Sequence, residues 1–555
     1  MTLHVLLSDD VHLHAKNFAS LFEFLNGTAA VSYSLLHQGR SLWNRYGEYA
    51  GVAEVEDIAE RLRPLDEGRL RGVAGGIGSA SVNAFEIARA EILSFVTCRE
   101  KDWYSTSIPN DDDFIFSKLY SQNNHLLRLN LAAVLRWCDI YRNEIRHHPP
   151  PKTCIIFSGS QIYQRLLLEY CKSSSARAIV VESFQTGSEF YCEERYTPIA
   201  RGSDIRYSTV FNSLALPTDA PSAQNERNRA LNKLLNGQNK NVTQPDDAVL
   251  PEFNSCAPCV LICAQVQNDF SILESNLEDL NALSNYRRLI DEFISKTKFN
   301  VIIKAHPWER RKTHLGRPFI YEELTSFVGK KSLKERCRIH VCEDENLKSL
   351  IDKCDAFVTL TSQSAIEACL YGGLRPFTLG LPFYSAKGFT NDFRNVEHLV
   401  ASLREDGAKW RLTLPEYEMF VDFIARLLQV QLASVQSPGT CVIRDRIIGQ
   451  KLVEVGTIPK SKTNKQSNGM TPSASMVHPS PAPASSSDNL LDDATEKAAA
   501  DVVPTRRRLI RPIVAKIGNE KDVRKFDKNP SRFFADLRNP WYRRFGAILF
   551  PPERS

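Results

Sequence analysis

The architecture is most legible in Asp355–Gly380, DAFVTLTSQSAIEACLYGGLRPFTLG. Ala356–Leu360 is a short apolar run without polar alternation, the pattern of a strand buried on both faces. Small and polar residues at Thr361–Ser364 follow it and open a helical pattern over Gln363–Tyr371. A glycine pair ends that pattern, and Arg375–Leu379 reads as the next strand. Strand, helix and strand in such short compass form a βαβ unit, which requires a parallel sheet.

The flanking sequence repeats this unit. Strands are predicted at Cys259–Ala264, Asn300–Lys304 and Arg338–Cys342, with helices at Leu280–Lys296, Tyr321–Glu335 and Glu345–Lys353. Residues 251–455 therefore read as a doubly wound α/β domain. Residues 1–217 follow the same logic. Strand Leu3–Leu7 leads into a loop carrying Ser8, Asp9, Asp10 and His12, then a helix near Asn17–Leu25. Strand Thr153–Phe157, helix Gln161–Cys171 and strand Ala178–Val181 come later. The expected fold class is α/β, with two Rossmann-like domains facing a cleft, the GT-B arrangement. Polar residues 218–250 read as a connector, 456–503 as a low-complexity linker too poor in apolar residues to order itself, and 504–555 as a basic, aromatic tail.

Of the 555 residues, 43% are hydrophobic and 24% charged, which excludes a wholly disordered, collagenous or polytopic membrane chain. No run approaches the ~20 apolar residues of a membrane span. The N-terminal stretch lacks a basic region and reaches Asp9 and Asp10 early, so no signal peptide is expected. Thirteen cysteines, an odd and scattered set, suggest free thiols in a reducing compartment. The one CxxC, Cys256–Cys259, has no second pair, and Asp111–Asp113 reads as a solvated turn, so no metal site is expected.

Ligands of open α/β sheets lie beyond the carboxyl ends of the strands. Gln265 and Asp269 follow the strand at Cys259. An aspartate there can act as nucleophile, as general base or as a sugar-hydroxyl acceptor, or the Asn268–Asp269 pair can simply make an Asx turn. Lys304 and His306 end the next strand, and Pro307 biases His306 toward extended backbone. His306 suits a phosphate oxygen or an ordinary structural hydrogen bond. Thr361, Ser362 and Ser364 stand at a strand-to-helix turn suited to an anion. Ser364 and Glu367 also match a capping box, while the functional alternative puts Glu367 on ribose hydroxyls. Gly380 to Thr390, with Tyr384, Lys387 and Gly388, suggests a loop closing over a ligand. In the first domain, Glu182 ends a strand and is expected to face the same cleft.

Together these residues resemble the bacterial capsule polysaccharide synthesis family, whose characterised members transfer Kdo. The family's Q-x-x-x-D, K-x-H-P, serine-turn with Glu-Ala, and G-x-P-F-Y…G-x-T motifs correspond to Gln265…Asp269, Lys304…Pro307, Ser362…Ala368 and Gly380…Thr390. The match covers about residues 255–395 well and 150–210 loosely. Departures occur at Ala386-Lys387, where the family often has an aromatic residue, and at Phe389, where leucine is usual. The tail segment Lys525–Asp536 resembles one found at the ends of bacterial surface-glycan enzymes.

The resemblance implies a GT-B enzyme with a CMP-activated donor, typically CMP-Kdo, a lipid-linked or glycan acceptor, and no resident cofactor or metal. It implies Asp269 as nucleophile, Glu182 as acid/base partner, Lys304 and His306 on the CMP phosphate, and Ser362, Ser364 and Glu367 on the nucleotide. It also implies a cytoplasmic reaction. The alternatives are a non-catalytic GT-B-like glycan assembly protein and a sugar-nucleotide epimerase.

The net charge of +5 hides an asymmetry: 504–555 carries +9, leaving −4 on residues 1–503. Basic residues interleaved with Phe526, Phe533, Phe534, Trp541, Tyr542, Phe545 and Phe550 suit an anionic membrane surface, placing the chain peripherally at the inner face of the membrane. Packing of the tail on the body is the other reading. No nucleic-acid motif accompanies the charge.

Overall fold

The computed structural model describes residues 3–77, 80–147, 151–237, 252–253, 256–307, 309, 319–405, 410–436, 440–449 and 526–527. The chain divides into two units, Met1–Ile458 and Pro459–Ser555. In the second unit only Phe526 and Asp527 are described. The linker and, apart from those two residues, the basic tail thus lie outside the described residues.

The first unit contains two six-stranded sheets. In chain order the strands are β1 (Leu3–Leu7), β2 (Val31–Leu35), a small hairpin of β3 (Ala74–Ile77) and β4 (Ala80–Asn83), β5 (Thr153–Phe157), β6 (Arg177–Ser183) and β7 (Glu189–Glu194). There follow β8 (Cys259–Cys263), β9 (Asn300–Lys304), β10 (Ile339–Cys342), β11 (Ala356–Thr359), β12 (Pro376–Leu379), β13 (Asn391–Phe393) and β14 (Ala433–Ser434).

The second sheet runs β10-β9-β8-β11-β12-β13, parallel throughout. Renumbered within the domain this is 3-2-1-4-5-6, the dinucleotide-fold order. The chain turns back between β8 and β11, so those two carboxyl ends flank the crevice. Every residue of β8, β9 and β11 is buried, which is why these strands read as short, mainly apolar runs without polar alternation. Helix Ala282–Lys296 covers the sheet with Leu283, Tyr286, Leu289, Ile290 and Phe293, at helical spacing, behind an Asn281 cap.

The first sheet runs β14-β7-β6-β5-β1-β2. Strands β2, β1, β5 and β6 are parallel, and β7 and β14 are antiparallel. Its switch point lies between β1 and β5. Long helices Ala84–Arg99 and Asn124–His147 fill the excursion between β2 and β5.

Several local details differ from the sequence expectation. Tyr321–Glu335 is two helices, Ile320–Gly329 and Leu333–Arg336, because Ser332 and Glu335 form a capping box that restarts the chain. The connector 218–250 contains helix Ala220–Asn236, capped by Asp219 with Pro221 in its first turn, and 238–250 lies outside the described residues. The chain also leaves the second domain before 455. Strand β14 pairs with β7, and helix Thr440–Ile448 lies near the first sheet's helix Ala19–Gly27.

The two halves are bolted together below the cleft. Asn281 Nδ2 donates to the carbonyls of Trp103, Tyr104 and Thr106 at 3.0, 3.0 and 2.6 Å, and Asp279 accepts from the Ile108 N–H at 2.8 Å. Glu274, whose side chain is fully buried, pairs with Arg165 at 2.9 Å and Arg201 at 2.7 Å from the first domain. Among the described residues no helix is long and apolar enough to cross a membrane, and no disulfide forms.

Candidate functional site

A cleft of about 1430 Å³ opens where the carboxyl ends of both sheets meet. Asp269, Glu182, Gln265, Lys304, His306, Thr361, Ser362, Ser364, Glu367 and Gly380 all line it. Residues separated by up to 198 positions in sequence, from Glu182 to Gly380, thus converge.

On the second domain, Gln265 and Thr361 tie β8 to β11 across the switch point. The Thr361 N–H donates to Gln265 Oε1 at 2.8 Å, and Gln265 Nε2 donates to Thr361 Oγ1 at 3.1 Å. Gln265 Nε2 also reaches Asp269 Oδ2 at 3.0 Å. Asp269 does make the cap suggested as its bland alternative: its Oδ1 accepts from the Ser271 N–H at 2.9 Å and Ser271 Oγ at 2.8 Å. These bonds leave the carboxylate in the cleft lining and hold it in one orientation.

Lys304 is buried at the end of β9 and donates to the Glu343 carbonyl at 2.8 Å. An ammonium has three donors, so this bond leaves two for other acceptors. His306 stands two residues further along the cleft wall.

The capping-box reading of Ser364 and Glu367 is corrected. The helix begins at Ser364 with Gln363 as its cap, so Ser364 is already helical and Glu367 lies one turn inside. Ser362 Oγ instead accepts from the Ser364 N–H at 3.2 Å and from Ser364 Oγ at 2.9 Å. Released from capping, Glu367 is half-buried in the cleft wall. Burial pushes its carboxyl up to about 7 against the opposing pull of Lys304.

Glu182, on the facing wall, is also pushed up to about 7. Burial is the main cause and the negative charge of Asp269 adds to it, opposed by a Ser158 hydrogen bond and by His12. Ser158 has a φ of 54° and Tyr46 a φ of 50°, both in the left-handed region disfavoured for side chains other than glycine. Backbone strain of this kind clusters at functional sites. Tyr46 is itself raised to about 12 by burial and by the charges of Glu91, Glu182 and Asp9.

The segment expected to close over a ligand is instead packed in place. Gly380 lines the cleft, but Tyr384, Lys387, Gly388 and Thr390 are not among the lining residues. Tyr384 is fully buried and donates to the Ser362 carbonyl at 2.5 Å. Lys387 donates to the Arg206 carbonyl at 2.8 Å, and Thr390 donates to Asp392 at 2.9 Å. The neighbouring Phe383 meets Tyr191 of the first domain edge-on at 6.0 Å. These contacts anchor the loop against both domains.

Asp111, Asp112 and Asp113 stand at the cleft rim. Asp111 caps a helix, Asp112 pairs with Arg89 at 2.6 Å and Asp113 with Arg71 at 2.9 Å. Cys256 is exposed and Cys259 buried, with Cys259 Sγ 3.6 Å from Cys354 rather than paired with its CxxC neighbour. Sequence reasoning did not assign the interdomain Arg165–Glu274–Arg201 cluster or the first-domain group of Ser8, Asp9 and His12. The latter follows β1 directly, so the strand-end rule applied to it as well as to Glu182.

Two Rossmann-like sheets with their carboxyl ends on one cleft define a GT-B type protein. Residues 215–410 match the model of the capsule polysaccharide biosynthesis protein family. Among solved structures, the chain is similar to the KpsC beta Kdo 2,4 transferase of Thermosulfurimonas dismutans, at 17% identity over 53% of this chain and 86% of that one, with a TM-score of 0.35. It is also similar to the KpsC beta Kdo 2,7 transferase of that organism, at 13% identity over 56% and 88%, TM-score 0.32. The glycosyltransferase SnogD of Streptomyces nogalater aligns at 10% identity over 81% and 99%, TM-score 0.26. No curated protein matches the chain.

Proposed function

We propose that this chain is a glycosyltransferase of surface-polysaccharide biosynthesis that moves an acidic sugar, Kdo or a relative, from a CMP-activated donor to a lipid-linked or glycan acceptor. The observation that carries the reading is the pair of carboxylates, Asp269 and Glu182, on opposite walls of the cleft and electrostatically coupled. A cleft of about 1430 Å³ exceeds the roughly 300–1,000 Å³ of a single-ligand pocket, which suits a donor and an acceptor together.

In this reading Asp269 attacks the anomeric carbon as CMP departs. Lys304 and His306 meet the phosphate charge released with the leaving group, which needs no protonation. Thr361, Ser362, Ser364 and Glu367 hold the nucleotide, and Gln265 holds Asp269 in line. Glu182, with a carboxyl near 7, is suited to take the acceptor's proton when its hydroxyl displaces Asp269. The chemistry requires no resident cofactor or metal. The reaction belongs on the cytoplasmic side of the membrane, with 504–555 as a peripheral contact to anionic lipid.

CMP titration followed by donor turnover tests this, using CMP-Kdo, CMP-sialic acid and UDP-sugars. CMP binding with turnover of one CMP-sugar is expected. A chain that binds no CMP, or an Asp269→Ala variant that still transfers, rejects it. Turnover of a UDP-sugar alone would favour an epimerase. Deleting 504–555 should move the protein out of the membrane fraction, and unchanged fractionation rejects the membrane contact.

A further inference from the structure

The first domain holds a built polar group that the proposed reaction leaves unused. Asp9, immediately after β1, is fully buried, and its side chain accepts four hydrogen bonds. Oδ1 accepts from the His12 N–H at 2.8 Å and faces His12 Nδ1 at 3.1 Å. Oδ2 accepts from Ser8 Oγ at 2.9 Å and from the Tyr163 hydroxyl at 3.0 Å. Burial alone would raise the Asp9 carboxyl, but the hydrogen bonds and charge of His12 outweigh it and hold the group below its ordinary value. A buried carboxylate on Nδ1 fixes that nitrogen as the protonated one, so in the neutral ring Nε2 is the acceptor.

The ring is fixed as firmly as its tautomer. His12 stacks on Phe157 with centroids 4.3 Å apart and planes within 4°. Both residues line the cleft, and the His12 side chain is 17% exposed. Among the described residues Nε2 has no hydrogen-bond partner. His12 and Phe157 stand at the ends of β1 and β5, the switch point of the first sheet, where its ligands belong. Gln265 and Thr361 hold the matching position on the second sheet. Strand register sets Phe157 beside Val181, so the stack adjoins Glu182.

We propose that Asp9 and His12 form an acceptor subsite, in which His12 Nε2 accepts a hydrogen bond from a hydroxyl of a pyranose ring lying on the first domain's wall. The subsite deepens the glycosyltransferase reading and rests on it. An oriented ring nitrogen selects a hydroxyl partner, and its place beside Glu182 puts the bound hydroxyl next to the group assigned its proton. His12 is therefore a binding and positioning residue, with Asp9 acting through it.

The test is saturation-transfer NMR of the full chain with a panel of methyl pyranosides, paired with CMP titration and thermal melting. Wild type should bind at least one pyranoside. His12→Phe, which keeps the stack, and His12→Ala, which cannot clash, should both weaken that binding about tenfold, the effect of one lost hydrogen bond. His12→Gln, whose amide oxygen can accept, should recover part of it. CMP affinity should stay within about twofold in all three. The subsite is overturned if wild type binds no pyranoside, if His12→Ala binds it as wild type does, or if pyranoside and CMP affinity fall together. Failure of the CMP-transferase reading is seen separately, as wild-type chain that does not bind CMP.

Discussion

Gln265 and Thr361, 96 positions apart, bond to each other in both directions across the switch point of the second sheet, at 2.8 and 3.1 Å. The side-chain amide that closes this gap also steers Asp269, and the Gln265 backbone N–H donates to the Tyr286 hydroxyl at 2.8 Å. One side chain thus couples sheet closure to placement of the candidate nucleophile. Gln265→Ala would leave the buried Thr361 N–H without its acceptor. Urea unfolding should register a loss of about 1–3 kcal/mol, and transfer should fall by more than global stability explains.

Asp269→Asn separates chemistry from architecture. Asparagine caps helices as well as aspartate does, so the Ser271 bonds survive; only the Gln265 Nε2 bond to Oδ2 is lost, and stability should fall by about 1–2 kcal/mol. If Asp269 is the nucleophile of the proposed transfer, its loss costs far more in rate, and transfer should drop at least about a thousandfold with CMP binding retained. Calorimetric titration and product assays check both halves.

Glu182 and Glu367, each pushed to about 7 chiefly by burial, make stability depend on pH. Unfolded glutamates titrate near about 4.3, so between the two values the folded chain binds more protons than the unfolded one. Stability contributed by these groups is then full below about 4.3 and is lost as pH rises through about 7. Each contributes on the order of 1–3 kcal/mol to that slope. Urea unfolding near pH 5 and near pH 8 should show Glu182→Gln and Glu367→Gln flattening the decline. In the transfer assay, a Glu182 base predicts activity rising with pH through about 7, and Glu182→Gln should erase that limb.

Glu274 carries a second consequence of burial. Its carboxylate faces Arg165, which is 7% exposed, and Arg201 from the other domain. Glu274→Ala would leave Arg165 buried and uncompensated, at a cost of about 3–5 kcal/mol by chemical denaturation. Replacing Arg201, whose side chain is 44% exposed, should cost under about 1 kcal/mol.

Gly388 tests the anchoring of the loop. Its φ is +89°, and a Cβ there would meet Met419 Sδ at 2.3 Å. Gly388→Ala should lower stability by about 1–3 kcal/mol. Met419→Ala should restore only part of it, because the backbone strain remains. Thermal melts of the single and double variants distinguish the two contributions.

Local pattern in the sequence specified eight of the fourteen strands and most of the cleft residues it named, but not β2, β3, β4, β7, β13 or β14, nor that Tyr384, Lys387, Gly388 and Thr390 lie outside the cleft lining. Buried parallel strands such as CVLIC, NVIIK and AFVTL announce themselves by apolar runs without polar alternation, and the strand-end rule then picks out Gln265, Asp269, His306 and Ser362. Helix caps were less legible: Ser364-x-x-Glu367 fits a capping box by spacing, yet the chain becomes helical one residue earlier and frees Glu367. A cap depends on one residue's backbone angles, which spacing does not encode.

Only the tertiary structure decided which strand ends meet. Long-range contacts such as Gln265–Thr361, Glu274 with Arg165 and Arg201, and Tyr384–Ser362 depend on sheet order and domain docking, which no local period records. The same holds for electrostatics. Glu182 and Glu367 are ordinary carboxylates in the sequence, and burial in a shared cleft, with an Asp269 charge near the first, raises them. The sequence determined which chemical groups the protein owns; packing determined which of them share one volume and in what protonation state.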